Sequence, residues 1–177
     1  MKKILAILSV ALLLAGIFTI NSCSTAPLLV PYLLGEKEAC LTINPYQGYQ
    51  SFTFPLNQSD VKAALTSAEV ADLSRVTSIK LKSGIKFRAV TGNLNELSNI
   101  EVYLKVATAS GVGDQIAYSG TLASGATEVV LQINGTELKQ VLTNDMILTV
   151  KVLNATTGNT ARCYKLSDGA IEASVRK

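Results

Sequence analysis

Apolar and polar residues alternate in short segments along the chain from position 38 onward, and this pattern constrains the fold more than any other feature. In IEVYLKVA, residues 100–107, every second side chain is apolar, which is typical of a strand with one face in a core. Comparable segments recur at spacings of roughly 8–15 residues. Helical spacing occurs only near 59–74 and 136–142. The sequence therefore predicts an all-β fold, an antiparallel β-sandwich of immunoglobulin-like or jelly-roll type with short crossover helices.

Two other β architectures were weighed against the sandwich. A closed lipocalin-type barrel remains the alternative, although the predicted crossover helices argue against a simple up-and-down order of strands. A transmembrane barrel needs longer strands and girdles of aromatic residues. The chain has six Tyr and four Phe, too few to supply such girdles.

Two pairs of neighbouring segments are predicted to form β-hairpins. In 76–90 a loop at Lys82, Ser83 and Gly84 would pair Leu81 with Ile85, because this register keeps the apolar residues on one face. The final strands, within 161–177, would form a hairpin around Asp168-Gly169, which is a strong two-residue turn signal.

The first of these hairpins would carry a basic face made of Lys80, Lys82, Lys86 and Arg88. Lys80 would lie opposite Lys86, an arrangement of like charges that mildly destabilises a sheet. One interpretation is a surface that binds an anion or a partner, such as lipid head groups, an acidic glycan or an acidic protein face. The other is a solvated strand face balanced by acidic residues of a neighbouring strand, for example Glu101.

The first 22 residues have the layout of a secretory signal peptide. Lys2 and Lys3 precede an apolar run from Ile4 to Ile20, and small or polar residues follow. A membrane-spanning helix needs about 20 predominantly apolar residues. This run is slightly shorter and lacks a stop-transfer flank, so cleavage is the expected fate.

The residues around Cys23 extend this interpretation. Ile20, Asn21, Ser22 and Cys23 resemble the lipobox of bacterial lipoproteins, in the looser form found in Bacteroidota. The resemblance implies that Cys23 becomes the first residue of the mature protein and carries acyl chains such as palmitate, and two or more chains give stable anchoring. Ser24 in place of Asp, with no acidic run after it, implies the periplasmic face of the outer membrane. Ordinary cleavage with a free Cys23 is the alternative.

Three segments follow from this layout: a signal peptide at 1–22, a lipidated N-terminus with an apolar tether at 23–37, and a β-sandwich domain at 38–177. The tether is unusual because residues 28–34 are mostly apolar. They would either pack on the core of the domain or form a short interfacial anchor beside the bilayer.

Two cysteines remain in the predicted mature domain, Cys40 and Cys163. In an oxidising compartment two cysteines suggest one disulfide. The pair would tie the beginning of the domain to its end. Two buried free thiols are the alternative.

Composition removes several classes of function. The chain has no His, which excludes Ser-His-Asp triads, Cys-His pairs and His-ligated zinc. The chain has 16 Lys and Arg residues, and loss of Lys2 and Lys3 with the signal peptide would leave 14, against 13 Asp and Glu residues. A nearly neutral domain lacks the excess positive charge that is typical of nucleic-acid-binding proteins. Glu101 and Glu128 are the best candidates for a pair of catalytic carboxylates, but exposed strand charges are far commoner. We predict no catalytic residues, no metal site and no cofactor.

These observations lead to one functional prediction and one alternative. The prediction is a membrane-anchored lipoprotein of the cell envelope, not an enzyme, that acts as a binding or accessory module for an envelope protein complex or a glycan. The alternative is a periplasmic carrier that holds a lipid or another apolar ligand between its sheets. A carrier requires a large apolar cavity, whereas a binding module has a filled core.

Overall fold

The structure is a computed structural model, and it describes residues 25–30, 36–43, 48–68, 70–154 and 160–176. The predicted signal peptide and Cys23 lie outside the described residues. No helix in the described ranges is long and apolar enough to cross a membrane.

The described residues form one helix, α1 (Gln58–Ser67), two short 3₁₀ turns (Leu73–Arg75 and Lys139–Leu142) and a series of strands. The strands are β1 (Thr25–Val30), β2 (Lys37–Ile43), β3 (Tyr49–Leu56), β4 (Val76–Ser83), β5 (Lys86–Ala89), β6 (Leu97–Val106), β7 (Asp114–Tyr118), β8 (Glu128–Val130), β9 (Gln132–Ile133), β10 (Met146–Asn154), β11 (Thr160–Ser167) and β12 (Ala170–Arg176).

These strands make three antiparallel sheets, with the orders β1-β12-β4, β2-β11-β5-β8 and β3-β10-β6-β7-β9. The five-stranded sheet packs against the other two, so the fold is the all-β antiparallel sandwich that the alternation predicts. The helical segments lie on crossovers, with α1 between β3 and β4 and the second 3₁₀ turn between β9 and β10.

The two smaller sheets meet at a corner, where two strand pairs pass from one sheet into the other. Ser83 lies opposite Ala170 before the corner, and Lys86 lies opposite Ser167 after it, so the pairing register continues across the bend. Strands that switch sheets through a bend are a known way to build such corners. Gly84 has a φ of 84° and Gly169 a φ of 108°, a backbone conformation in which a side chain is strained.

Both predicted hairpins are therefore wrong. β4 does not pair with β5, since β4 pairs with β12 and β5 pairs with β11 and β8. Lys80 lies opposite Glu172, not opposite Lys86. Gly84 and Gly169 were correctly predicted to lie at bends of the chain. A hairpin loop and a sheet corner both need a residue that tolerates positive φ, so the glycines do not distinguish the two. The true partner strand is about ninety positions away, where local sequence carries no information on pairing.

The core lies between the five-stranded sheet and the two smaller ones. Alternation on β6 buries Ile100, Val102 and Leu104 and turns the residues between them outward, as predicted. Rings cross the interface at Phe87, whose centroid is 6.5 Å from that of Phe52 on β3 and 5.1 Å from that of Tyr164 on β11. Such stacked rings add to the stability that apolar burial provides.

The predicted disulfide is confirmed. Cys40 on β2 lies directly opposite Cys163 on β11, and their sulfur atoms are bonded at 2.00 Å. The bond joins residues 123 positions apart and ties the beginning of the domain to its end, as expected.

The segment interpreted as a tether contributes a strand to the domain. Thr25–Val30 pairs with β12 along its whole length and forms the edge of the three-stranded sheet. Pro27 is compatible with that position because the outer side of an edge strand needs no N–H donor. Residues 31–35 lie outside the described ranges.

The free edge of β4 is covered by the segment around Glu137. The N–H of Leu138 donates to the carbonyl oxygen of Ile79 at 2.7 Å. The Glu137 Oε1 atom accepts from the N–H groups of Ile79 at 2.8 Å and Lys139 at 2.9 Å, and Oε2 accepts from the Ser78 hydroxyl. Glu137 therefore satisfies backbone donors that an edge strand would leave unpaired.

The Glu137 carboxylate should give the protein a pH-dependent share of its stability. Burial opposes its ionisation, but the hydrogen bonds from Ser78, Ile79 and Lys139 and the charge of Lys80 together lower its pKa. A lowered pKa stabilises the fold above the carboxyl's ordinary pKa, and this contribution is lost as pH falls through the folded value. Because the group is well exposed, we expect Glu137→Gln to cost at most about 1 kcal/mol at pH 7.

Urea unfolding of the wild type and Glu137→Gln at pH 7 and pH 3 measures this effect. The difference in free energy should shrink at pH 3. Glu128→Gln, an exposed carboxylate on β8, serves as the control and should change stability by less than about 0.5 kcal/mol. A difference that is equal at both pH values would show that the charge of Glu137 does not stabilise the fold.

Candidate binding surface on the five-stranded sheet

The outer face of the five-stranded sheet carries a cluster of aromatic and polar side chains. Because alternate residues of a strand face opposite sides, the buried residues of β6 turn their neighbours outward. Register brings Lys151 on β10 and Tyr118 on β7 to either side of Glu101. We call this cluster the tyrosine face, and it comprises Tyr49, Asn99, Glu101, Tyr103, Tyr118 and Lys151.

Glu101 is the centre of a hydrogen-bond network in the tyrosine face. Its Oε1 atom accepts from the Tyr49 hydroxyl at 3.3 Å and from Asn99 Nδ2 at 3.0 Å. Its Oε2 atom accepts from the Tyr103 hydroxyl at 2.9 Å. Hydrogen bonds to an ionised acceptor are stronger than neutral ones, so the carboxylate fixes side chains of β6 itself and of β3, which lies on the far side of β10.

Two contacts fix the Tyr103 side chain, one to its ring and one to its hydroxyl group. Lys151 Nζ lies 4.9 Å from the centroid of its ring, within the range of a cation–π contact. Burial, followed by the hydrogen bond to the negatively charged Glu101, raises the pKa of Tyr103. The phenol therefore remains protonated and donates its hydrogen bond throughout the physiological pH range.

A buried hydroxyl positions the amide of Asn99. Ser119 Oγ donates to Asn99 Oδ1 at 3.2 Å and accepts from the backbone N–H of Ile100 at 3.0 Å. The Asn99 Nδ2 atom also reaches the Tyr49 oxygen at 3.1 Å. The polar groups of the surface are thus fixed by the sheet, which reduces the entropy that a bound partner would cost.

The tyrosine face has the chemistry of a recognition surface. Tyr49 is 45% exposed, while Tyr118 and Lys151 are partly accessible. Tyrosine offers a broad apolar ring and a polar hydroxyl with only two rotatable bonds to immobilise. The face can contact flat apolar groups and donate to or accept from hydroxyl and amide groups beside them.

The predicted basic face is not a continuous cationic surface. Lys80 and Lys82 are on β4 in one sheet, whereas Lys86 and Arg88 are on β5 in the next. Lys80 contributes to the lowered pKa of Glu137 through its charge.

The other three cations form ion pairs with acidic residues of neighbouring segments. Lys82 binds Glu172 at 3.0 Å, Lys86 binds Asp168 at 3.1 Å, and Arg88 binds Glu36 at 2.7 Å. The hydrogen bond and the charge of Asp168 raise the pKa of Lys86. This arrangement favours the interpretation as a solvated, balanced strand face, although the balancing acids are not Glu101, which lies in the tyrosine face.

The two carboxylates considered for catalysis do not share a cleft. Glu101 lies on the outer face of the five-stranded sheet, and Glu128 lies on β8 in the opposite layer, 3.9 Å from Lys86 Nζ. Among the described residues, Glu38, Cys40 and Cys163 form a cluster whose potential ligand atoms lie within 4.8 Å of one another. Both sulfur atoms belong to the disulfide, so this cluster has no thiolates to offer a metal.

A small apolar cavity lies between the sheets. It measures about 30 Å³, and its lining includes Ile79 and Ile171 from one sheet and Leu104 and Leu148 from the other.

Of the tyrosine face, only Glu101 was singled out from the sequence, and in other roles, as a candidate catalytic carboxylate and as a balancing acid. The alternation of 100–107 places Glu101 and Tyr103 on the solvent side of β6. Tyr49 and Lys151 come from strands whose pairing is non-local, so nothing in the sequence brings them beside Glu101. The sequence signal that could have indicated this face is a Tyr, Lys or Glu predicted to point outward on several strands.

Comparison with known proteins supplies no family for this chain. No protein-family model matches it, and no curated protein matches it significantly. Seven chains of solved structures match, including one from Desmodium yellow mottle tymovirus. That chain is 11% identical, with 87% of this chain and 90% of the viral chain covered, and the TM-score is 0.32. A similarity this low carries no argument about function.

Proposed function

We propose that the protein is a lipoprotein of the bacterial cell envelope, anchored through acylated Cys23 at the periplasmic face of the outer membrane. Its β-sandwich is a non-enzymatic binding module, and its partner is an envelope glycan. The lipobox-like sequence before Cys23 supports the anchor. The disulfide between Cys40 and Cys163 is consistent with an oxidising compartment.

The tyrosine face is the observation that carries the binding proposal. Saccharides present apolar C–H faces bordered by hydroxyl groups. Tyr49 and Tyr118 supply rings for the C–H faces, and the Lys151 ammonium supplies hydrogen-bond donors for the hydroxyl groups. An outer-membrane protein complex is the other partner that this surface chemistry suits.

The filled core favours a binding module over a carrier. Small-molecule sites usually have volumes of about 300–1,000 Å³. The cavity between the sheets is about 30 Å³, an order of magnitude smaller. A lipid could enter only if the sheets moved apart.

Titration calorimetry with soluble envelope glycans tests the proposal. The probes are peptidoglycan fragments and the delipidated polysaccharide of lipopolysaccharide, added to the purified protein. We expect Tyr49→Ala to weaken binding about tenfold, because truncating an anchoring aromatic residue commonly costs more than about 1 kcal/mol. Tyr49 is well exposed, so the fold should tolerate the change.

Val130→Ala is the matched control. Val130 is 55% exposed and lies in the opposite layer, so its truncation should leave affinity unchanged. Equal affinity of the wild type and Tyr49→Ala for a glycan that does bind would contradict the tyrosine face as the site. A different outcome is that the protein binds none of the envelope glycans and cross-links, from positions next to Tyr49, to one envelope protein. That result would contradict the glycan proposal and identify a protein as the partner.

A further inference from the structure

The outer side of β3 is an open strand edge. β3 spans eight residues, Tyr49–Leu56, and lies at the end of the five-stranded sheet, where β10 is its one partner among the described strands. Outside that ladder, no backbone group of β3 bonds to another described segment. Such an edge presents a row of N–H and C=O groups that a further strand can bind.

The hydrogen bonds of the sheet show which residues of β3 face the open edge. The N–H of Ala107 donates to the carbonyl oxygen of Asp145 at 2.9 Å, which continues the pairing of β6 with β10. Successive residues of a strand direct their backbone groups to opposite sides, so the even-numbered residues of β10 are those that bond to β3. Their partners on β3 are also even-numbered. The residues whose backbone groups point to the open edge are therefore Tyr49, Ser51, Thr53 and Pro55.

The proline of β3 occupies a position that this pattern allows. Pro55 lies opposite Ile147 and has no N–H, but the ladder with β10 loses no donor because the backbone of Pro55 faces outward. The open edge thus offers a donor and an acceptor at each of three alternate residues, Tyr49, Ser51 and Thr53. Pro55 ends the row.

β3 also lacks the charged side chains that commonly protect a strand edge. Its sequence, YQSFTFPL, contains none, whereas β2 carries Lys37 and Glu38 and β8 carries Glu128. β9 is two residues long, β1 is interrupted by Pro27, and the free edge of β4 is covered by the segment around Glu137. Among the described edge strands, β3 is therefore the longest that is both uncharged and open.

The inward side chains of β3 are incompletely covered. Phe52 and Phe54 pack on the core, with their ring centroids 5.3 Å apart, yet both are only partly buried. Val150 and Leu148, which lie opposite them on β10, are at most 2% exposed. Because β10 covers one side of β3, the accessible part of the two rings lies toward the open edge.

We propose that two copies of this chain associate through this edge, β3 pairing antiparallel with β3 about a two-fold axis at Ser51. Ser51 then lies opposite Ser51 of the second copy, and Tyr49 lies opposite Thr53. Each of these pairs exchanges two hydrogen bonds. A register shifted by two residues would place Pro55 opposite Tyr49 and leave an acceptor without its donor, so the axis at Ser51 is favoured.

A second copy fits the edge because the edge is complementary to itself, as a two-fold contact requires. Phe52 lies diagonally across from Phe52 of the second copy, within the reach of an aromatic contact. Lys151 is the cation beside Ser51 on β10. Three strand spacings of about 4.8 Å separate it from Lys151 of the second copy, a distance of about 14 Å. That distance exceeds the screening length of about 10 Å at 0.1 M salt, so like charges do not oppose the pairing.

The pairing joins the two five-stranded sheets and the tyrosine faces that they carry. Opposite residues of an antiparallel pair point to the same side of the sheet. Thr53 of the second copy therefore lies beside Tyr49, on the same outer surface. The inference requires neither the lipid anchor nor a glycan.

Oxidative cross-linking of cysteine substitutions, in the full-length chain and in its own membrane, tests the pairing and its register. Ser51→Cys should form a disulfide between two copies, because Cα atoms of a hydrogen-bonded pair are about 5.5 Å apart and disulfides span about 4.4–6.8 Å. Thr53→Cys is the matched control, since it is equally exposed and two residues away. Its equivalent in the second copy lies four residues further along the strand, about 13 Å, so its cross-linked fraction should be at least tenfold lower.

A mixture of two variants adds a positive test of the register. Chains with Tyr49→Cys and chains with Thr53→Cys should cross-link to each other, and neither should cross-link efficiently alone. The wild type, oxidised in parallel, gives the background from its own cysteines.

A charge at the axis tests the same contact in the purified protein. Ser51→Lys places two like charges directly opposite each other, so sedimentation equilibrium should give a dimer dissociation constant at least tenfold higher than that of the wild type. Val130→Lys is the control, because Val130 is 55% exposed and lies on β8 at the other edge of the sandwich. It should leave the constant unchanged.

Three results would overturn the inference. The first is a wild type that stays monomeric at all concentrations together with a Ser51→Cys chain that does not cross-link in the membrane. The second is equal cross-linking of Ser51→Cys and Thr53→Cys, which indicates random collision. The third is a dimer whose dissociation constant is the same in Ser51→Lys and in the wild type. None of these results depends on whether the protein binds a glycan.

Discussion

A Cys40→Ala, Cys163→Ala variant should unfold with a free energy about 3–5 kcal/mol lower than that of the wild type. The bond links residues 123 positions apart, so breaking it releases almost the whole domain in the unfolded chain. In the chain-entropy account the stabilisation by a disulfide grows with the loop it closes. Guanidinium unfolding followed by circular dichroism measures the change, which we expect to appear as a lower midpoint with a clear two-state transition.

The control is Thr42→Ala, which changes an exposed residue of the same strand two positions from Cys40 and leaves the bond intact. It should alter stability by less than about 0.5 kcal/mol. Reduction of the wild type should reproduce the double variant. A loss below about 1 kcal/mol in both cases would mean that the other contacts of β2 and β11 already hold the domain together without the bond.

Phe87→Ala should cost about 3–5 kcal/mol, the range measured for loss of a large aromatic side chain from a core. Phe87 is completely buried and stacks against Tyr164 at 5.1 Å and Phe52 at 6.5 Å. Phe87 lies on β5 in one layer and Phe52 lies on β3 in the other, so the ring of Phe87 joins both layers of the sandwich. Truncation would leave a cavity and remove the ring contacts together.

Val130→Ala is the matched control, because Val130 lies on β8 beside the same strand but is 55% exposed. Its expected cost is below about 0.5 kcal/mol. Thermal and denaturant unfolding of the two variants compare them directly. Equal costs for Phe87→Ala and Val130→Ala would contradict the account of a single core closed by aromatic stacking across the layers.

The strands were predictable from sequence because their signal is local. Burial on one face of β6 and β10 imposes alternation, and the alternation of Ile100, Val102 and Leu104 can be read without any knowledge of the partner strand. The disulfide was predictable from the cysteine count, since only two cysteines remain when Cys23 is set aside as the predicted lipidation site.

Strand pairing was not predictable because the decisive contacts are distant in sequence. Gly84 and Gly169 mark sharp bends, and a bend of this kind serves a hairpin or a sheet corner equally well. Only the long-range pairing of β4 with β12 and β5 with β11 decides between them. The error has a functional consequence, since the hairpin would have gathered Lys80, Lys82, Lys86 and Arg88 on one surface. At the corner these cations separate and meet acidic partners.

The candidate site was hidden for the same physical reason. Tyr49, Glu101 and Lys151 lie on β3, β6 and β10, and their proximity depends on the order of those strands in the sheet.

Native mass spectrometry of the protein gently extracted from its own membrane tests the central claim most directly. The account predicts a mature chain that begins at Cys23, carries covalent acyl groups and holds no further apolar ligand, since the core cavity is only about 30 Å³. A chain with an unmodified Cys23 would contradict the anchor. A lipid bound in addition to the acyl groups would contradict the filled core and would make the protein a carrier.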